Sequence, residues 1–120
     1  MKPQIKKLWV DELKSGRYRQ GQGSLKRNDD DTGRIKHCCL GVLCEIYQRT
    51  VNTPFKFKKS GDLGLWSFGD EDGTPPKAVM RWAGLSEMDA DELIAMNDGE
   101  NVDNKQYKFY QIANYINKNL

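Results

Sequence analysis

Hydrophobic positions along the chain change period several times, and each change marks an element. Ile5, Leu8, Trp9 and Leu13 recur at helical spacing with Lys6, Lys7, Asp11, Glu12 and Lys14 mostly opposite, which predicts a helix over 3–15. Pro3 suits its first turn and Gly16 the residue past its end. Cys38 to Thr50 predicts a second helix, apolar almost all round at first, as buried central helices are. Gly41 inside it costs about 1 kcal/mol relative to alanine and so points to close packing against a neighbour. Period two governs Phe55-Lys56-Phe57-Lys58 and resumes at Leu65-Trp66-Ser67-Phe68 after Ser60-Gly61-Asp62-Leu63-Gly64, which predicts a hairpin with one buried face. Leu25-Lys26-Arg27 and Arg34-Ile35-Lys36 predict a shorter hairpin around the turn residues Asn28 to Gly33.

The second half reads as helices. Thr74 is expected to cap a third one, with Pro75 and Pro76 in its first turn and Gly84 as its stop. Ser86 followed by Asp89 predicts the start of a fourth, which carries Leu93, Ile94 and Met96 and stops at Asn97-Asp98-Gly99. Lys105 to Asn119 predicts the last, with Phe109, Ile112, Ala113 and Ile116 on one stripe. The expected fold is α+β, a compact single domain over 1–120 with about four to five helices around a buried central helix and one or two short β-hairpins.

Composition agrees with one folded domain: 120 residues, 38% hydrophobic and 10% aromatic. The longest apolar run, Cys38 to Cys44, is too short to cross a bilayer, and no signal peptide opens the chain. Three cysteines, two of them adjacent, make no secreted disulfide framework, so a reducing cytoplasm is the expected home and no membrane partner is expected. Charge is divided unevenly. Residues 1–60 carry 14 Lys and Arg against 6 Asp and Glu, and residues 61–120 carry 5 against 11. Such a split either concentrates anionic ligands on a cationic region or is neutralised by the halves packing together.

Several motifs fall into a recognisable order. Trp9-Val10-x-x-Leu13-Lys14-Ser15-Gly16-Arg17-Tyr18-x-Gln20-Gly21-x-Gly23-x-Leu25 is followed by His37-Cys38-Cys39-Leu40-Gly41-Val42-Leu43-Cys44, then Trp82-Ala83-Gly84-Leu85-Ser86, Leu93-Ile94-Ala95-Met96-Asn97-Asp98-Gly99 and Phe109-x-x-Ile112-Ala113-x-x-Ile116. This arrangement resembles a widespread family of small phage- and prophage-encoded proteins of mostly unassigned function, with the Cys-Cys-Leu-Gly-Val-Leu-Cys block as its most specific piece. The resemblance implies a viral accessory protein acting in a bacterial host cytoplasm and supplies no catalytic residues.

Residues able to carry chemistry cluster in several places along the chain. His37, Cys38, Cys39 and Cys44 lack the paired spacing of a structural zinc site, and on a helix only His37 and Cys44 share a face; small buried hydrophobes are the simpler role for the thiols. Cys38 or Cys39 beside His37 at a helix N-terminus would be a nucleophile only with spatial contact and a depressed pKa. Asp29-Asp30-Asp31 and Asp70-Glu71-Asp72 sit in turns, where consecutive carboxylates diverge into solvent. Ser15 to Arg27 is the richest segment. Arg17, Arg19, Lys26 and Arg27 offer phosphate contacts, Tyr18 a stacking face, Gln20 an amide, and Gly21 and Gly23 a close backbone approach to an anion. The bland alternative is an exposed basic connector.

These features favour a non-enzymatic viral protein that sequesters a small nucleotide-derived defence signal as a sponge, with Arg17, Tyr18, Arg19, Gln20, Lys26 and Arg27 as ligand contacts. No catalytic residue, metal or cofactor is expected. Homo-oligomers with ligand pockets between subunits fit the charge split. The alternatives are an inhibitor of a host protein, an enzyme that degrades such a nucleotide, and nucleic-acid binding, which the acidic half disfavours.

Overall fold

The computed structural model describes residues 1–61 and 64–120. The elements run α1 (Pro3–Lys14), β1 (Lys26–Asn28), β2 (Ile35–His37), α2 (Cys39–Thr50), β3 (Phe57–Ser60), β4 (Leu65–Phe68), α3 (Lys77–Ala83), α4 (Glu87–Asp98) and α5 (Phe109–Asn119). Asp62 and Leu63, in the turn assigned to Ser60–Gly64, lie outside the described residues. The fold is α+β, and its Cα radius of gyration of 13.4 Å is that of one compact domain.

α2 is the central helix. Its residues Cys39 to Cys44, Ile46 and Tyr47 are all buried, and it touches α1, α3, α4 and β2. α1 packs along α5 and presents Trp9, whose indole N–H donates to the Cys39 carbonyl at 2.9 Å. That bond satisfies the one polar atom of a ring otherwise sealed in the core. Tyr47, Phe55, Phe57, Phe68 and Trp82 extend the core between α2 and the sheet, meeting mostly edge to face or tilted.

Both expected hairpins form and join, with strands displaced along the chain: β1 and β2 each lie one residue later than 25–27 and 34–36, and β3 starts at Phe57 rather than Phe55. β1 pairs with β4, so the sheet is four-stranded and antiparallel in the order β2-β1-β4-β3. The join rests on Arg27 opposite Leu65 and on the Asn28 N–H bonded to the Gly64 carbonyl at 2.7 Å. The outer edge of β2 is covered by residues 19–21, which run parallel to it: the His37 N–H donates to the Arg19 carbonyl and the Gly21 N–H to the His37 carbonyl. Single-strand periodicity carries no record of either pairing.

Two helix starts differ from expectation. α3 begins after Pro76, which occupies the cap position itself, so Thr74 does not cap it and both prolines precede the helix. α5 begins at Phe109, because the Tyr107 N–H is drawn to the Met96 carbonyl and the Lys108 N–H to Gln111 Oε1. Ser86 caps α4 as its spacing with Asp89 implied, accepting from the Asp89 N–H at 3.1 Å. Asn97 and Asp98 belong to α4, and Gly99 is its left-handed end.

Gly41 has the close neighbour its position implied. A Cβ built there would stand 1.8 Å from the Leu25 carbonyl oxygen. β1 therefore leads out of a segment laid directly on the helix backbone, and the Cys38 N–H donates to that same carbonyl at 3.3 Å. Gly41→Ala is expected to lose about 3 kcal/mol or more in urea unfolding, since backbone rather than a side chain must move. Gly73→Ala, where nothing stands within 4 Å, is the control and should shift stability by no more than about 0.5 kcal/mol.

Candidate functional site

The sequence points to six side chains of the segment Ser15 to Arg27 turned toward one anion. The structure does not bring them together. Arg17 Nη2 lies 3.0 Å from Glu12 Oε1, and Arg49 reaches the same buried oxygen from α2. Glu12 is 5% exposed, so these guanidiniums neutralise a charge already inside the protein. Tyr18 is half-buried, its ring edge-on to His37 at 5.0 Å. Burial, with the Glu45 carboxylate second, raises its phenol above the ordinary value. Arg19 is exposed.

Gln20 faces inward. Its Nε2 donates to Asn97 Oδ1 at 3.0 Å and to the Tyr107 carbonyl at 2.7 Å, while its Oε1 accepts from the Phe109 N–H. The glycines are committed as well: Gly21 donates its N–H to the His37 carbonyl and Gly23 to Asp98 Oδ1. The expected cradle of free backbone N–H groups is therefore replaced by a braced connector. The polar partner that holds it, Asn97, is fully buried and was hidden in a tripeptide that reads as a turn.

Lys26 and Arg27 part company because successive strand residues face opposite ways. On one face Lys26 lies opposite His37, and its Nζ stands 3.2 Å from Glu45 Oε2. The same oxygen lies 2.7 Å from His37 Nε2. A carboxylate only accepts, so His37 donates to it through Nε2, and its buried Nδ1 has no partner among the described residues. Burial alone would raise the Glu45 carboxyl, but the bonds from His37 and Lys26 hold it below the usual range.

On the other face Arg27 lies directly opposite Lys36. Like charges so placed repel, and among the described residues the nearest carboxylates form only long pairs: Arg27 Nη2 is 3.7 Å from Asp30 Oδ2, and Lys36 Nζ is 3.7 Å from Asp29 Oδ1. Thr32, and then Lys36, hold the Asp29 carboxyl below its ordinary value, so it is ionised. Arg27, Asp29 and Lys36 border an open groove of about 320 Å³ together with Gln20, Gly21, Gln22 and Gln106. Gly21 packs so tightly on Lys36 that a Cβ would stand 2.8 Å from the lysine Cβ. Of the six expected contacts, Gln20 and Arg27 border this groove, Gln20 with its amide already committed to Asn97, Tyr107 and Phe109. Lys36 and Gln106 were missed: strands at 25–27 and 34–36 around the 28–33 turn would set Arg27 opposite Arg34, whereas the observed register sets it opposite Lys36.

The cysteines take no part. All three are buried and free, and burial pushes the Cys38 thiol up to about 11 and the other two well above the ordinary thiol value. Among the described residues no three His, Cys, Asp or Glu side chains are grouped as metal ligands are, and no helix is long and apolar enough to cross a membrane.

The whole chain, residues 1–120, matches a family described as a domain of unknown function (DUF8296). No curated protein and no solved structure gives a match.

Glu45 yields a signed pH dependence. Its folded value is lowered, so the unfolded chain binds more protons in the acid window. Its contribution is complete above the ordinary glutamate pKa of about 4.3 and is lost as pH falls through the lowered value. Glu45→Gln is expected to be less stable near neutrality and to lose less stability than the native protein between about pH 5 and about pH 3 in thermal melts. An acid limb of unchanged slope would show that Glu45 gains nothing from Lys26 and His37.

Proposed function

The chain belongs to the DUF8296 family, and we propose that this protein captures a small nucleotide-derived anion in the groove at Arg27 and Lys36 and holds it without chemistry. The observation that carries this is the cation pair. Arg27 and Lys36 face each other across two strands with carboxylates no closer than 3.7 Å among the described residues, a placement that repels by itself and attracts once a phosphate lies between them. A phosphate takes Lys36 from Asp29 and Arg27 from Asp30, both loose pairs that a charge-assisted bond outweighs. The exposed amides of Gln22 and Gln106 border the same groove and carry the donors and acceptors that base edges require. Asp29 at the groove repels a second negative group, which favours a ligand with few phosphates.

The resemblance to phage and prophage proteins supplies the setting. There the anion is a nucleotide signal of bacterial defence, and capture without turnover removes it from its receptor. The buried, high-pKa thiols support binding over cysteine catalysis.

Calorimetric titration with cyclic and linear nucleotides is expected to give saturable binding, with the nucleotide recovered intact by chromatography. Arg27→Ala and Lys36→Ala should each weaken it by about tenfold or more, because a bond to a charged group is lost. Arg17→Ala should leave it unchanged, since that guanidinium is held by Glu12. Silence across the nucleotide panel excludes capture, and a converted nucleotide replaces capture by catalysis.

A further inference from the structure

The face of the sheet turned away from the Arg27–Lys36 pair carries a separate assembly. Lys26 Nζ stands 4.2 Å from the centre of the Trp66 ring and 4.8 Å from that of Phe57, and 3.2 Å from Glu45 Oε2. Two aromatic faces and a carboxylate around one ammonium group are the parts of an aromatic cage. Its walls do not depend on the Lys26 side chain. The Trp66 indole N–H donates to Asn28 Oδ1 at 2.9 Å, and Glu45 is aimed by His37. Trp66 and Phe57 are both half-buried, so the cage reaches the surface.

The lysine suits this cage imperfectly. A primary ammonium has three donors and is strongly hydrated, whereas here one acceptor among the described residues, Glu45, meets it and only 13% of the side chain is exposed. A methylated ammonium has fewer donors or none, leaves water more cheaply, and gains the same attraction from the rings and the carboxylate. Lys26 can leave without disturbing the sheet. Its backbone is fixed by β1 pairing, and its stem is flexible.

We propose that Trp66, Phe57 and Glu45 form a recognition cage for a methylated organic ammonium group, closed in the free protein by the side chain of Lys26. The ligand is either a free quaternary amine or a methylated lysine of a peptide, which present the same chemistry. This cage stands apart from the anion groove, so either can be present without the other.

The test titrates tetramethylammonium chloride against native protein and Lys26→Ala, with sodium chloride at equal ionic strength as control, following tryptophan fluorescence and the thermal midpoint. Saturable binding is expected in both. If Lys26 fills the cage about nine-tenths of the time, the native protein binds about tenfold more weakly than the emptied one. Lys26→Met, which refills the cage with a neutral chain, and Trp66→Leu should both abolish the response. A peptide carrying trimethyllysine that binds tighter than tetramethylammonium assigns the ligand to a protein, and equal affinity assigns it to a free amine. Absence of saturation in the native protein overturns recognition, whatever Lys26→Ala does, and so does a response that survives Trp66→Leu. Should Lys26→Ala not fold, the native titration and Trp66→Leu decide alone.

Discussion

Two side-chain amides hold this fold together. Gln20 and Asn97 bond to each other, and the remaining capacity of each is spent on a different stretch of chain. Through Gln20 the pair grips the Tyr107 carbonyl and the Phe109 N–H at the entry to α5. Through Asn97 it grips the Gly21 carbonyl and the Cys39 N–H at the start of α2. Buried amides are costly when half satisfied and specific when fully satisfied, so this node fixes the relative placement of α2, α4, α5 and the connector. The position of residues 19–21 along β2 follows from it, and with that the place of Gly21 against Lys36.

Much of the architecture was written in local pattern. The apolar girth of α2 and the cap at Ser86 each report a contact the residue makes with near neighbours, while the alternation from Phe55 found β3 but placed its start two residues early. What stayed hidden depends on distant partners. Nothing near Asn97 in sequence says that Gln20 will bond to it, 77 positions away, and the Asn-Asp-Gly spelling favours a turn. The joining of the hairpins rests on the meeting of Arg27 and Leu65, which no single strand encodes. The candidate site shows the same division. Arg17, Arg19, Lys26 and Arg27 look equivalent as a basic run, yet a buried glutamate claims one, solvent surrounds another, and strand alternation sends the last two to opposite faces.

That alternation gives the small sheet two electrostatic characters. On one side a lysine is enclosed by aromatic rings and matched by a carboxylate, so its charge is settled internally. On the other side two cations face each other with loose partners, so their charge is directed outward. The surplus of Lys and Arg in residues 1–60 is thus neither spread evenly nor wholly cancelled by the acidic second half. Part of it compensates Glu12 and Glu45, and part of it is left to meet something else.

The three thiols have a further consequence. Cys38, Cys39 and Cys44 lie on the innermost turns of the central helix, with no path to solvent and little tendency to ionise. Alkylating reagents meet them only when α2 separates from its neighbours, so the rate of labelling measures how often the domain breathes rather than how reactive a sulfur is. The molecule carries its own gauge of opening at its most protected point.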